Sequence, residues 1–295
     1  MIRPSARSRE FLRNFHQGNY RASPLFGLWS ELLGRDRRLT RNFRIGFGDR
    51  ICKLVEIRPE YQDDARHLAR FAQQQDTYRS LVETGHLPEL LERGDVSMIV
   101  AWADGRTLLE EPLKPKEVSA LADCLAATYR RMSDMPNHLD RAALRSMAED
   151  LAADGLLPVL IQEAVLQEIE LMDVPDVIRV GETFGDVSLP NFVRSADGTV
   201  MYIDTMGVVD REPMMVNLEK MAANLPPEIS ERLLAEVDAR IGNVLACRRW
   251  SVVARTLQVV RSKSKKGAVA DQGARQQKMH DAVADLERHL QQKTV

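Results

Sequence analysis

The stretch FGDVSLPNFVRSADGTVMYIDTMG, residues 184–207, constrains this chain more than any other. A polar loop stiffened by Pro190 leads into two short apolar runs that flank Ser195-Ala196-Asp197-Gly198. Asp-Gly at the centre of such a linker predicts a β-hairpin. A hairpin lays its two ends side by side, so Asn191 at the start of one strand and Asp204 at the end of the other converge. Asp186 sits five residues before Asn191 in the same loop. Two neighbouring carboxylates repel unless a cation or a proton intervenes. A hard divalent ion such as Mg²⁺, held through Asp and Asn oxygens, resolves that repulsion. The remaining carboxylate is then available to orient a hydroxyl or accept its proton.

The segments around this hairpin change character along the chain. RNFRIGFGDRICKLVEIRP has two alternating apolar runs about Gly48-Asp49 and predicts a second hairpin. Leu68, Phe71, Tyr78 and Leu81 recur at helical spacing in a segment that ends at Gly85. VSMIVAWADGRTL follows as a buried strand leaving through a glycine turn. Beyond LKPK the pattern turns helical, from a helix entered at Pro115 through to PPEISERLLAEVDARIGNVLACRRW, with the 192–203 hairpin embedded in it. A β-rich part followed by a helical part predicts two lobes, and a cleft between lobes is a natural ligand site. At 295 residues and 44% hydrophobic, the chain can fill two such cores.

Lys53 is the sole lysine among the first 113 residues, and it lies inside a predicted strand. A compact ammonium there can neutralise phosphate charge. With this lysine in place, the pattern Asp-x-x-x-x-Asn, a hairpin and a terminal Ile-Asp resembles the catalytic loop and metal-binding acid of the protein-kinase-like superfamily. It is most similar to the aminoglycoside phosphotransferase and choline kinase branch, and bacterial lipopolysaccharide kinases share that fold. The resemblance spans roughly residues 35–225 and is tight over 184–207.

The resemblance implies an α+β, two-lobed, protein-kinase-like fold with a small antiparallel-sheet N-lobe at 31–102 and a mainly helical C-lobe at 103–262. A basic extension at 1–30 and a basic linker with a terminal helix at 263–295 would flank them. It implies ATP and Mg²⁺ as cofactors, with Asp186 as catalytic aspartate and Asn191 and Asp204 as metal ligands. Lys53 would hold phosphates and be positioned by an acid of the next helix, where Asp76 is nearest and Gln73, Gln74 and Gln75 stand where a glutamate would fit. The backbone at Ala101 and Ala103 would face adenine, with Trp102 as a pocket wall or a core residue. The expected activity is phosphorylation of a hydroxyl on a small molecule or sugar, envelope- or lipid-linked acceptors included. The pattern departs from the family at Phe184, where His is usual, and in a glycine-poor loop, LLGRDRRLT, whose Gly34, Arg35, Arg37 and Arg38 would either bind phosphates or coat the surface. These departures support an alternative, a nucleotide-binding or scaffold pseudokinase.

Charge adds less. The chain carries a formal net charge of −2, which implies no partner. The first 50 residues, however, hold eleven arginines against four acids, and 241–270 holds seven basic residues and no acid before Asp271. Each segment reads either as a solvated helix or linker, or as a contact for an anionic surface; the Arg- and Ser-rich start also has the composition of a transit peptide. Peripheral association with the inner membrane surface therefore stays open beside a cytoplasmic location. Sparse aromatic residues disfavour nucleic acid. Cys52, Cys124 and Cys247 make no metal or disulfide spacing and predict free thiols.

Overall fold

A computed structural model describes residues 4–16, 21–22, 39–47, 50–157 and 159–264, with single positions at 281, 283, 284 and 286. The loop carrying Gly34 and its arginines, residues 48–49 and most of the basic linker and terminal helix expected over 263–295 lie outside the described residues. The chain divides into two compact units, Met1–Pro112 with Glu182–Asp210, and Leu113–Gly181 with Arg211–Val295.

The first unit is built on one antiparallel sheet. Its strands are β1 (Arg21–Ala22), β2 (Thr40–Phe47), β3 (Arg50–Ile57), β4 (Leu90–Arg93) and β5 (Ser97–Ala101), in the order β1-β2-β3-β5-β4. β2 and β3 form the expected hairpin, in register from Thr40↔Ile57 to Phe47↔Arg50. Alternation along β3 sends successive side chains to opposite faces. Cys52 and Leu54 join Phe43, Ile45, Phe47 and Ile99 in one cluster, while Val55 and Ile57 join Met98 and Phe71 in another.

Each face is covered by a helix. α2 (Ala65–Val82) supplies Phe71 to the second cluster. Asp64 caps its N-terminus by accepting from the amides of Arg66 and His67, and those bonds hold its carboxyl below the usual range. α1 (Ala6–His16) covers the first cluster through Leu12, which is fully buried. The Ser5 amide donates to the carboxylate of the buried Glu56 at 3.1 Å, and Ser8 Oγ meets Ser97 Oγ at 2.5 Å. Arg7 donates to the Gln62 carbonyl. Residues 4–16, which begin the basic extension expected over 1–30, thus cover a face of the sheet within the first unit.

The first unit also contains residues that sequence boundaries assigned to the helical lobe. β6 (Arg106–Thr107), β9 (Phe192–Arg194) and β10 (Val200–Tyr202) make a small sheet ordered β10-β9-β6. The Tyr202 amide donates to His86 O, and His86 Nδ1 lies 2.9 Å from Val200 O. These bonds tie the 184–207 stretch to the end of α2, which explains why it groups with the first unit.

The second unit is mainly helical, with α3 (Val118–Tyr129), α4 (Arg141–Ala153), α5 (Val159–Leu171), α6 (Met214–Ala222), α7 (Pro227–Ile241) and α8 (Arg248–Ser264). It adds a strand pair of β7 (Ser133–Pro136) and the start of β8 (Val177–Phe184). Within the helical segment 226–250, α7 ends where Gly242 and Asn243 take positive φ of 72° and 62°, and α8 begins at Arg248. α3 packs along α7, α4 on α5 and α6 on α8. The basic run of α8 is in part consumed internally. Arg248 forms a two-pronged ion pair with Glu231, and Arg249 does the same with Glu168. No helix among the described residues is long and apolar enough to cross a membrane.

Two predictions follow from these cores. Leu12→Ala should lower unfolding stability by about 2–5 kcal/mol in urea titrations, as expected for a truncated core side chain. A detached α1 would leave stability unchanged. Glu219 on α6 is buried, and burial pushes its carboxyl up to about 7 despite Arg248 and Arg255 of α8 and the Ser251 hydroxyl, with Glu231 of α7 also raising it. The folded state thus binds this proton more tightly than the unfolded chain does. The resulting stability is complete below about pH 4.5 and is lost as pH rises through about 7. The melting temperature of the wild type should therefore fall more between pH 5 and pH 8 than that of Glu219→Gln.

Candidate active site

The hairpin of β9 and β10 pairs Tyr202 with Phe192 and Val200 with Arg194. Its turn is fixed by Asp197, which accepts from Thr199 N and from Ser195 Oγ, and by Gly198 at φ +89°. The bond from Ile203 N to Asn191 O at 2.8 Å carries the pairing one residue further. Asn191 and the residue before Asp204 are thereby locked together at the open end of the hairpin, as the sequence predicts.

Asp186 belongs to the same assembly. Asn191 Nδ2 donates to Asp186 O and to Ser188 Oγ, both at 3.1 Å, while Asp186 Oδ1 accepts from Ser188 N at 3.3 Å. Both amide hydrogens of Asn191 are thus committed to the loop, and its Oδ1 remains as the acceptor atom for a ligand. The loop rests on an aromatic cluster. Phe184, fully buried, stacks on Tyr202 with centroids 4.3 Å apart and meets Phe192 edge-on at 5.8 Å. The Tyr202 hydroxyl donates to Asp186 O at 3.2 Å. Burial, followed by the charges of Asp204 and Asp186, drives the Tyr202 pKa well above its ordinary value, so the hydroxyl stays a donor. Phe184, a departure in the motif, is a packing element of the loop.

Two glycines permit the close approach of the next turn. Gly185 N donates to Gly207 O at 2.5 Å. A Cβ at Gly207 would come within 2.2 Å of Tyr202 OH and 2.6 Å of Asp204 Oδ2, and one at Gly185 within 2.9 Å of Gly207 O. Any side chain at Gly207 would displace the Asp204 carboxylate.

Lys53 reaches the same turn, with Nζ donating to Ile203 O at 2.9 Å. The structure therefore brings Lys53, Asp186, Asn191 and Asp204 to one place. It does not bring Asp76 there. Asp76 is largely exposed, and its carboxylate is engaged by Arg93 Nη1 at 2.7 Å with Arg79 nearby. Each helical residue turns about 100°, so Asp76 stands on a different side of α2 from Gln74. Gln74 is the α2 residue at the site, donating to Met206 O at 2.9 Å, while Gln73 donates to Asp210. Gln74 Oε1 is buried and has no hydrogen-bond partner among the described residues.

The 101–103 segment is also modified by the structure. The Ala101 amide is spent on Glu89 O and the Trp102 amide on Ile51 O. That of Ala103 remains as the segment's unengaged donor among the described residues. Trp102 is half-buried, and its ring lies under the Arg44 guanidinium.

The whole has the protein-kinase-like α+β fold of small-molecule phosphotransferases. A macrolide 2′-phosphotransferase from Brachybacterium faecium aligns over 91% of this chain and 95% of its own, with a TM-score of 0.62 and 14% identity. An ADP-bound aminoglycoside phosphotransferase aligns over 95% and 98%, at 0.60 and 12%. A choline kinase from Cryptosporidium parvum Iowa II aligns over 93% and 89%, at 0.52 and 9%. At these identities the likeness is one of fold. No family model matches the sequence, and no curated protein matches it.

The aromatic support generates a prediction. Phe184→Ala should cost about 3–5 kcal/mol of stability, as for a truncated buried aromatic. Phe184→His should recover part of that loss. Equal stability of wild type and Phe184→Ala in thermal melts would show that the cluster does not support the loop.

Proposed function

We propose that this protein transfers the γ-phosphoryl group of ATP to a hydroxyl of a small molecule or sugar. The observation that carries the proposal is the backbone-locked group of Asp186, Asn191, Asp204 and Lys53. Two carboxylates and a carboxamide oxygen form a hard-donor set suited to Mg²⁺. Among the described residues no three His, Cys, Asp or Glu side chains gather as a metal cluster. Asn191 and Asp204 would hold Mg²⁺, which supplies charge neutralisation at the phosphates when bound.

The roles of the chain's own groups follow from their placement. Lys53, tied to the Ile203 carbonyl, would set its ammonium against the phosphates beside Asp204. The exposed carboxylate of Asp186 would align the acceptor hydroxyl and take its proton as the new oxygen–phosphorus bond forms and the bond to the leaving diphosphate breaks. The Tyr202 and Asn191 bonds to Asp186 O keep that carboxylate in place without drawing on its charge. Catalysis of this kind rests on positioning and charge neutralisation. The matched phosphotransferases of antibiotics, of choline and, in one case described as putative, of fructosamine support a small-molecule acceptor over a protein. An envelope- or lipid-linked acceptor would be one member of that class.

A second reading has one observation behind it. Gln74, a neutral side chain, occupies the α2 position at the Asp204 turn, donating to Met206 O. A nucleotide-binding pseudokinase would fit that substitution.

Thermal melts separate the two. ATP with Mg²⁺ should raise the melting temperature of the wild type, and Asp204→Ala should abolish the rise. Asp186→Ala should keep the rise yet lower ATP turnover by at least about 100-fold, the scale of general-base catalysis. Turnover unaffected by Asp186→Ala would favour the pseudokinase, and no shift in the wild type would refute both readings.

A further inference from the structure

Residues 23–39 hold two glycines, Gly27 and Gly34, where the resemblance would place a glycine-rich phosphate loop. In the ladder of β2 and β3, Arg44 pairs directly with Lys53. Directly opposed residues of an antiparallel pair stand on one face, with Cβ atoms about 5 Å apart. Two cations so placed repel each other, and an anion between them removes that cost. Arg44 is exposed, and its Cζ lies 5.1 Å from the centroid of the Trp102 ring. An exposed guanidinium over an indole is a weak contact. It is weaker than a charge-assisted, two-pronged bond to phosphate. Ile51, on the same face of β3 as Lys53, is left 38% exposed beside this pair.

We propose that Arg44 is a second polyphosphate-binding residue, resting on Trp102 in the ligand-free protein and moving to the phosphates of a bound nucleoside polyphosphate beside Lys53. This deepens the function proposed above and rests on it. Arg44 binds and positions; it takes no proton and forms no bond. Its departure uncovers the Trp102 ring at the end of β5, so nucleotide binding and exposure of the ring are coupled.

The experiment is a calorimetric titration of wild type, Arg44→Ala and Arg44→Lys with ATP, ADP and adenosine in the presence of Mg²⁺, with tryptophan emission followed in parallel. Arg44→Ala should weaken ATP and ADP by about 10-fold or more, the scale of a lost hydrogen bond to a charged group. Adenosine affinity should stay unchanged, and Arg44→Lys should recover part of the loss for ATP. ATP should change the emission of the wild type and leave that of Trp102→Phe unaltered. Wild-type affinity for ATP in Arg44→Ala, or an equal loss for adenosine, overturns the inference and leaves the proposed function standing. A wild type that binds ATP with unchanged emission overturns the release from Trp102. A wild type that binds no nucleotide overturns the inference together with the function on which it rests.

Discussion

The backbone of Ile203 holds the site together. Its amide donates to Asn191 O and its carbonyl accepts from Lys53 Nζ. One residue thus joins the loop that carries Asp186 to the strand that carries the lysine, and it places Asp204 next to both. Neither bond depends on the identity of the Ile203 side chain. Beneath this junction the aromatic cluster of Phe184, Phe192 and Tyr202 fixes the height of the loop, and Gly207 leaves room for the Asp204 carboxylate. The geometry of the loop is in this way set by main-chain bonds and apolar packing.

Much of this was legible in the sequence, for a local reason. The spacing from Asp186 to Asn191, the Asp197-Gly198 turn and the stop at Asp204 lie within one short stretch, where chain geometry decides who meets whom. Lys53 stood out because the surrounding segment otherwise uses arginine. Harder to place from sequence were residues whose neighbours lie far along the chain. Asp76 was chosen for its charge, while helical rotation sets Gln74 at the Asp204 turn. The Ala101 amide closes the bulged ladder between β4 and β5. β8 and β11 (Val208–Pro213), which flank the hairpin loop, have little alternation to announce them. The register of β2 and β3 puts Arg44 opposite Lys53.

Several arginines of the basic segments have partners inside the chain. A guanidinium satisfied inside the chain contributes nothing to an external surface. Arg7 reaches the Gln62 carbonyl, Arg41 holds the buried Glu56 at 2.5 Å, and Arg248 and Arg249 are forked onto glutamates. The basic appearance of the N-terminal segment and of α8 is therefore in good part the chemistry of docking helices onto their own domain. Glu56 shows the logic, because a fully buried carboxylate needs donors from several elements. It draws them from β2 and from the residue preceding α1.

The replacement of histidine by phenylalanine at the head of the loop has a consequence for how the protein meets acid. An imidazole there would exchange protons near neutrality and carry any change of charge into the loop. Phe184, stacked on a tyrosine whose hydroxyl is held protonated, contributes no titrating group. The loop scaffold is consequently silent to physiological acidification. The aromatic frame beneath Asp186 brings no proton equilibrium of its own near neutrality.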